Sequence, residues 1–587
     1  MHAGSLRLPD SSLAPFKARK LRNAKVVYRP SGHIGDASVL EEYAYVIPSD
    51  LECQADFDGE ELTFYAERYG GAGTGLHGGG VRCGIGRLFQ VKGIGSNLLR
   101  GEGTLESCFW HAHGGVTLAE AVQEAAWSEV FQQALPYGAV RVHSIVLTGT
   151  DCWYEGSKGE RLRAPRALLV RDPVIRPAHF ERATYFRPEQ GVALCPDVER
   201  VRAAIFRLPS LLPHPPGDAP REGAGTWERL VEGLHAMAHR FAIQCAAAQS
   251  KRLMHGALNA SNIGIDGRWL DFGTATSLPS HANTKSYGLP PHLPTLWEEQ
   301  NRIAGILANL SFYVHKYFPG APTFQPSFID ALTSWFSRSH EQALTHSYLM
   351  LAGFLHVAKD GPRLQEYTQL GRLLMRASRL GVERRFVPGV ADLGLFGESK
   401  LGNILRLLCL WHDDSSCPQR LLPFVSDLPL ASELAKRYHR VMQEEISLAS
   451  LHGICANAVH RAMLICALKA GKVAPHLYRN VLRPTLDGMM NTFDSMRDID
   501  LIVQRFVDDA ANQSKILYRP RSGNEELVWK SNETYLAYDM VRDGWHTGVE
   551  GSGERFWSIN DGNVPGLSDA NKFYGVDVRA LLAGMDR

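Results

Sequence analysis

Between residues 40 and 175, short runs rich in β-branched and aromatic residues, "YAYVIP", "ELTFYAERYG", "RLFQVKG", "VRVHSIVLTG" and "RALLVRD", are bounded by Gly and Asp. Such runs predict strands. One segment changes period: in "TLAEAVQEAAWSEVFQQAL", Leu118, Ala121, Val122 and Ala125 recur at helical spacing. Thr117 with Glu120 three residues later predicts a capping box at its start. This half of the chain therefore reads as a small sheet with one prominent helix. The Pro-rich stretch "RLPSLLPHPPGDAPREGAG" at 207–225 reads as an exposed linker or flap. Beyond it the spacing is helical in "WERLVEGLHAMAHRFAIQCAAAQS", "LWEEQNRIAGILANLSFYVHKYF", "FIDALTSWFSRSHEQALTHSYLMLAGFLHVA" and several segments between 400 and 515. The last seventy residues turn polar and Gly-rich. The expected fold is α+β and bilobal. It has a β-rich N-lobe over 1–206, a linker over 207–225, an α-helical C-lobe over 226–400 and a helical extension over 401–587.

Composition narrows the class. With 587 residues the chain is too long for one ordinary core. Its 44% hydrophobic and 21% charged content suits a chain that folds throughout. Lys+Arg 63 against Asp+Glu 62 leaves no global field for nucleic acid or an anionic membrane, so neither is expected as a partner. The scattered cysteines include no C-x-x-C pair and suit reduced thiols. No window is apolar enough to span a bilayer, and a cytoplasmic location is expected.

Several candidate motifs are weak. "GTGLHG" at 73–78 matches G-x-G-x-x-G without a following helix. "HGGG" at 77–80 has no G-x-S-x-G partner, and "HEQALTH" at 340–346 has the wrong spacing for a zinc-binding helix. "MHGALNASNIGIDGRWLDFGTA", 254–275, carries more. Asn262 and Asp271 are oxygen donors of the kind Mg²⁺ takes beside phosphates. Asp266-Gly267 between them predicts a two-residue hairpin turn that returns both to one place. Such a site also needs a strand Lys and a helix carboxylate. Lys92 in "FQVKGIG" fits the first, and Glu120, Glu124 and Glu129 are rivals for the second. "GIGR", Gly84 to Arg87, would let backbone approach phosphate with Arg87 as counter-charge.

Taken in order, "YGGAGTG", "GIGR", "VKGIG", "AVQEAAWSEVF", "LLVRDPVIRPAHFE", "HGALNASN", "DFG" and "LPTLWEEQNRIAGIL" resemble motifs of the selenoprotein O family of kinase-like protein adenylyltransferases. The resemblance runs from about residue 65 to 310. It implies that ATP and Mg²⁺ are the cofactors and that AMP is moved to a hydroxyl of a protein or peptide acceptor. It also favours Glu124 as the Lys92 partner. Gly84, Gly86, Arg87, Lys92, Arg171 and Arg176 would then hold the nucleotide, with Asn262 and Asp271 on the metal. Three positions depart from the family pattern: Ile85 replaces an Asp, "AHGG" at 112–115 replaces a second Gly-Asp-Gly-Arg, and Ser261 replaces the proton-accepting Asp. Ser is a poor base near neutral pH without an activating neighbour. Two other readings follow from that replacement: a maturation enzyme that uses ATP to activate a carboxylate or hydroxyl of a peptide natural product, and an inactive scaffold that binds a partner.

Overall fold

The computed structural model describes residues 8–584 apart from 31, 33, 49–56, 156–158, 214–225, 282–293, 324, 357–360, 381–398, 412, 473, 492–497, 520–522 and 550–551. The strand-forming runs assemble into one eight-stranded sheet. Its strands are β1 (Leu13–Leu21), β2 (Lys25–Tyr28), β3 (Tyr45–Val46), β4 (Phe57–Glu67), β5 (Cys83–Ile85), β6 (Gln90–Lys92), β7 (Val142–Glu155) and β8 (Arg161–Arg171). They lie in the order β2-β7-β8-β6-β5-β4-β1-β3, with antiparallel neighbours throughout.

Strand periodicity divides this sheet into two chemically different faces. In the β6–β8 register, Val91 stands opposite Val170, and both join Phe64, Val146 and Leu168 in a core on one face. Gln90 stands opposite Arg171, and Lys92 opposite Leu169, so the polar side chains of β6 share the other face with Arg171. Against that face packs the Leu118–Ala134 helix, which opens with the Thr117–Glu120 capping box. The helix is buried almost all round, because helices Arg479–Asn491 and Ile499–Tyr518 from the far end of the chain cover its outer side.

Helices Thr226–Ser250, Glu299–Tyr317 and Pro326–Leu351 pack together below the sheet. Leu234, Phe241, Leu307 and Leu310 belong to the same core as the Leu118–Ala134 helix. A second core gathers Tyr348, Leu374, Leu405, Leu434, Tyr438 and Leu464.

Two expected boundaries change. Residues 207–211 do not begin a linker; they finish the Asp197–Leu211 helix, with Pro209 inside it. Pro in a helix costs about 3 kcal/mol, but each fully buried large apolar side chain contributes about 1.5–3 kcal/mol. Val201, Ile205 and Leu208 are all fully buried there, so the apolar stripe wins. The rest of the expected linker, 214–225, lies outside the described residues. The expected helical extension over 401–587 also holds a four-stranded antiparallel sheet, Glu525–Lys530, Thr534–Asp539, Gly544–Val549 and Ser552–Ser558. Val528, Leu536, Tyr538 and Trp545 bury it against the second core, while the polar and Gly positions elsewhere in its strands dilute the apolar signal of the whole segment. Among the described residues no helix is long and apolar enough to cross a membrane, and the cysteines are free.

Candidate functional site

Residues far apart in sequence meet on the polar face of the sheet. The Lys92 ammonium lies 2.5 Å from Glu124 Oε2 and also donates to Asp271 Oδ1. Arg171 donates to Glu124 Oε1 and lies 3.1 Å from the same Asp271 oxygen. Each carboxylate therefore touches two cations, and each cation two carboxylates. Helical geometry selects Glu124 from its rivals: Glu120 is occupied capping its own helix, and Glu129 lies within 3.4 Å of the Tyr28 hydroxyl.

A further layer of polar residues surrounds this square. Arg171 Nε donates to Gln90 Oε1 at 2.7 Å, and the Gln90 amide donates in turn to Glu67. Arg176 Nη1 donates to the Ser261 carbonyl at 2.9 Å and lies 3.9 Å from Asp271 Oδ2. Among the described residues its buried Nε and Nη2 have no hydrogen-bond partner, although Nη2 approaches Glu67 to 3.8 Å. The Arg176 guanidinium also stacks 5.1 Å from the Tyr69 ring centre. Burial alone pushes the Asp271 carboxyl up, but Lys92 first, then Arg171 and Arg176, bring it well below the usual carboxylate range. Burial likewise pushes Glu67 up, and Arg176 and His179 bring it below its ordinary value. The site thus holds ionised carboxylates at neutral pH.

The 254–275 loop presents Asp271 through a strained backbone, since its φ of 66° is left-handed and rarely adopted by a non-Gly residue. Local contacts hold it there. His255, fully buried, lies with Nε2 2.9 Å from the Leu270 carbonyl and packs edge-on against Trp269 and Phe272. Leu270 N–H donates to the Asn262 carbonyl at 3.2 Å, which puts Asn262 and Asp271 one step apart at the base of the expected hairpin. The turn differs from the expected one. Gly267 N–H donates to Gly264 at 2.9 Å, so the bend starts one residue earlier than an Asp266-Gly267 turn requires. Val140 N–H donates to Trp269 at 2.8 Å and recruits the returning arm to the loop after the Leu118–Ala134 helix. Ser261 Oγ donates to Asn259 Oδ1 at 2.6 Å and lies 3.2 Å from Asn262 Oδ1. Neither amide oxygen is a base.

The glycine-rich segments occupy different places. A Cβ on Gly73 would meet Ser261 Oγ at 2.5 Å, so the 70–75 loop lies directly over Ser261 and needs that glycine for the approach. By contrast, a Cβ on Gly84 would meet Phe16 at 2.7 Å, and one on Gly86 would meet Tyr43 at 3.0 Å, both aromatic side chains of the apolar face. Arg87 stands outside the cluster. Its Nη1 lies 3.1 Å from Glu42 and its side chain is 68% exposed. The physical reason is strand alternation and the end of β5: past Ile85 the chain turns outward before Gln90 and Lys92 face the site. Residues not anticipated include Glu67, Tyr69, Gln90 and Arg82. Burial pushes the Arg82 guanidinium down, yet Glu120 and Asp271 raise it above its ordinary value. Glu67 and Tyr69 sit within the quoted run "ELTFYAERYG", where alternation alone marks them as sharing a face. Among the described residues no group of three His, Cys, Asp or Glu side chains is arranged to hold a metal. Of the oxygen donors expected from the sequence, Asp271 and Asn262 stand side by side at the base of the 254–275 loop.

No model of a known protein family matches the chain, and no curated protein matches it.

Proposed function

We propose that the chain is an ATP- and Mg²⁺-dependent transferase with a bilobal, protein-kinase-like arrangement. In this reading it moves AMP from ATP to a hydroxyl of a protein or peptide acceptor, as its resemblance to the selenoprotein O family suggests. One observation carries the reading: Lys92 from β6, Glu124 from the buried helix and Asp271 from a strained loop converge within bonding distance. Phosphate transfer depends mainly on such fixed charges, which position the substrate and neutralise charge in the transition state.

The geometry supports the following roles. Glu124 orients Lys92, whose ammonium would position phosphate oxygens. Arg176 has two buried donors without hydrogen-bond partners, which suits an anion. The donor set fits Mg²⁺, which takes one or two carboxylate or amide oxygens beside phosphates and waters. Asp271, kept ionised, and Asn262 would hold it, and it would neutralise charge on the phosphates. In the reaction the acceptor oxygen bonds to the α-phosphorus as the bond to pyrophosphate breaks, and the acceptor's proton leaves to solvent or to pyrophosphate. Ser261 contributes no base, since only amide oxygens contact its hydroxyl. That lost assistance is worth about 10²- to 10⁴-fold, so a slow transferase is expected.

Self-labelling tests the reading. The full chain is incubated with Mg²⁺ and ATP labelled at the α- or the γ-phosphate. Retention of the α label alone on protein supports AMP transfer, and retention of the γ label alone overturns it in favour of phosphorylation. If neither label is retained and Mg²⁺·ATP fails to raise thermal stability, the nucleotide reading falls. The Ser261 replacement would then favour the scaffold reading.

A further inference from the structure

A cavity of about 470 Å³ lies between helices Thr226–Ser250, Pro326–Leu351, Ala456–Gly471 and Ile499–Tyr518, and shares no lining residue with the Lys92 cluster. Its wall is largely apolar, with Ile243, Met350, Leu351 and Leu517 prominent. That volume is within the range of about 300–1,000 Å³ in which proteins take up small molecules.

The polar groups in it are unevenly matched. Lys469 and Glu526, 7% and 2% exposed, form an ion pair and neutralise one another. Glu526 Oε2 has no hydrogen-bond partner. Lys251 also lines the cavity, and among the described residues no salt bridge joins it to a carboxylate. Among the described residues its ammonium donates to the Ala134 carbonyl alone, at the C-terminal end of the helix that carries Glu124. A helix end offers a fraction of a charge, so the ammonium is left largely uncompensated. Burial, the sole cause, pushes this amine down to about 8, which is what a charge with no counter-ion does. Arg519 is exposed and adds a second positive group to the lining.

We infer that this cavity is a binding site for a small monocarboxylic acid with an apolar body, its carboxylate on Lys251 and its apolar part against Ile243, Met350, Leu351 and Leu517. An anion completes the charge balance at Lys251, which a neutral ligand or a cation cannot do. Water alone would leave the apolar wall unused.

Calorimetric titration of the full chain with octanoate, octanamide and octylamine tests the site. Octanoate is expected to bind once per chain, and the amide and amine at least about tenfold more weakly. Lys251→Met should weaken octanoate by about tenfold or more, whereas Lys251→Arg retains it. Ala343→Phe, which takes up cavity volume from the Pro326–Leu351 helix and leaves Lys251 itself unchanged, should abolish binding, and it decides the matter if Lys251→Met does not fold. Equal binding of octanoate and octylamine, octanoate binding that survives Ala343→Phe, or no heat from octanoate overturns the inference. A loss of stability in Lys251→Met with octanoate affinity intact would reduce Lys251 to a helix cap and overturn it as well. None of these readouts involves ATP, so the transferase reading stands or falls separately.

Discussion

Replacing Lys92 and Arg171 by Met, one at a time, separates what each cation contributes to folding from what it contributes to chemistry. Breaking a buried ion pair costs about 3–5 kcal/mol when a carboxylate is left with no counter-charge. Lys92→Met does not reach that limit, because Arg171 still contacts both Glu124 and Asp271. Roughly half the penalty, about 2 kcal/mol, is expected. Arg171→Met leaves the carboxylates on Lys92 in the same way, but it also removes the 2.7 Å bond to Gln90 Oε1, whose side chain is buried. An unsatisfied buried acceptor adds about 1–3 kcal/mol, so Arg171→Met should cost about 4 kcal/mol. Urea unfolding followed by tryptophan fluorescence measures both, since Trp127 is buried in the Glu124 helix. Activity should not scale with stability. Lys92→Met, the milder lesion for folding, should lower label transfer by about 10²- to 10³-fold, the loss typical of removing one charge-stabilising donor. The reasoning is refuted if Lys92→Met destabilises as much as Arg171→Met, or if it transfers label at the wild-type rate.

Asp271→Asn should remove Mg²⁺-dependent transfer, by about 10²-fold or more, while the protein stays folded; unchanged Mg²⁺ dependence would remove Asp271 from the metal. Ser261→Ala should change the transfer rate by less than about fivefold, because a hydroxyl bound only to amide oxygens is no base; a loss of about 10²-fold or more would show that it is one. Burial pushes Glu299 up to about 8 from its ordinary 4.5, so the folded protein holds that proton more tightly than the unfolded chain. Stability from this group is full below about 4.5 and falls as pH rises toward 8, by up to about 1.4 kcal/mol per unit. Glu299→Gln keeps an acceptor for the Gly256 N–H at 2.7 Å and cannot ionise, so its stability should fall less between pH 5 and 8; an unchanged slope in urea unfolding at those pH values would contradict the assignment. Arg87→Ala should leave transfer within about twofold and stability within about 0.5 kcal/mol, since its pair with Glu42 is largely solvated; a marked loss of nucleotide-dependent stabilisation would return Arg87 to the site.

The sequence by itself determined the local elements wherever periodicity was strong, and with them the residue types of the charged cluster. The Thr117–Glu120 cap and helical spacing placed the Leu118–Ala134 helix, and the run "RLFQVKG" placed Lys92 on a strand. Lys92, Asn262 and Asp271 could be named from the chemistry and order of their segments, whereas Glu124 over its rivals, Arg171 and Arg176 came only from the resemblance to the selenoprotein O family. What only the tertiary structure decided depends on which elements pack together. The meeting of Glu124 with Lys92 and of Glu129 with Tyr28 is seen only in the packed molecule, where the Leu118–Ala134 helix lies between the sheet and the Ile499–Tyr518 helix, nearly four hundred residues away in sequence. Arg87 falls outside the cluster because β5 ends at Ile85, and Gly84 because it stands opposite Val91 on the apolar face, neither of which "GIGR" announces. The uncompensated Lys251 exists only because four helices leave a cavity beside it. Local conformation is governed by contacts a few residues long, whereas burial and charge balance are sums over the whole packed molecule.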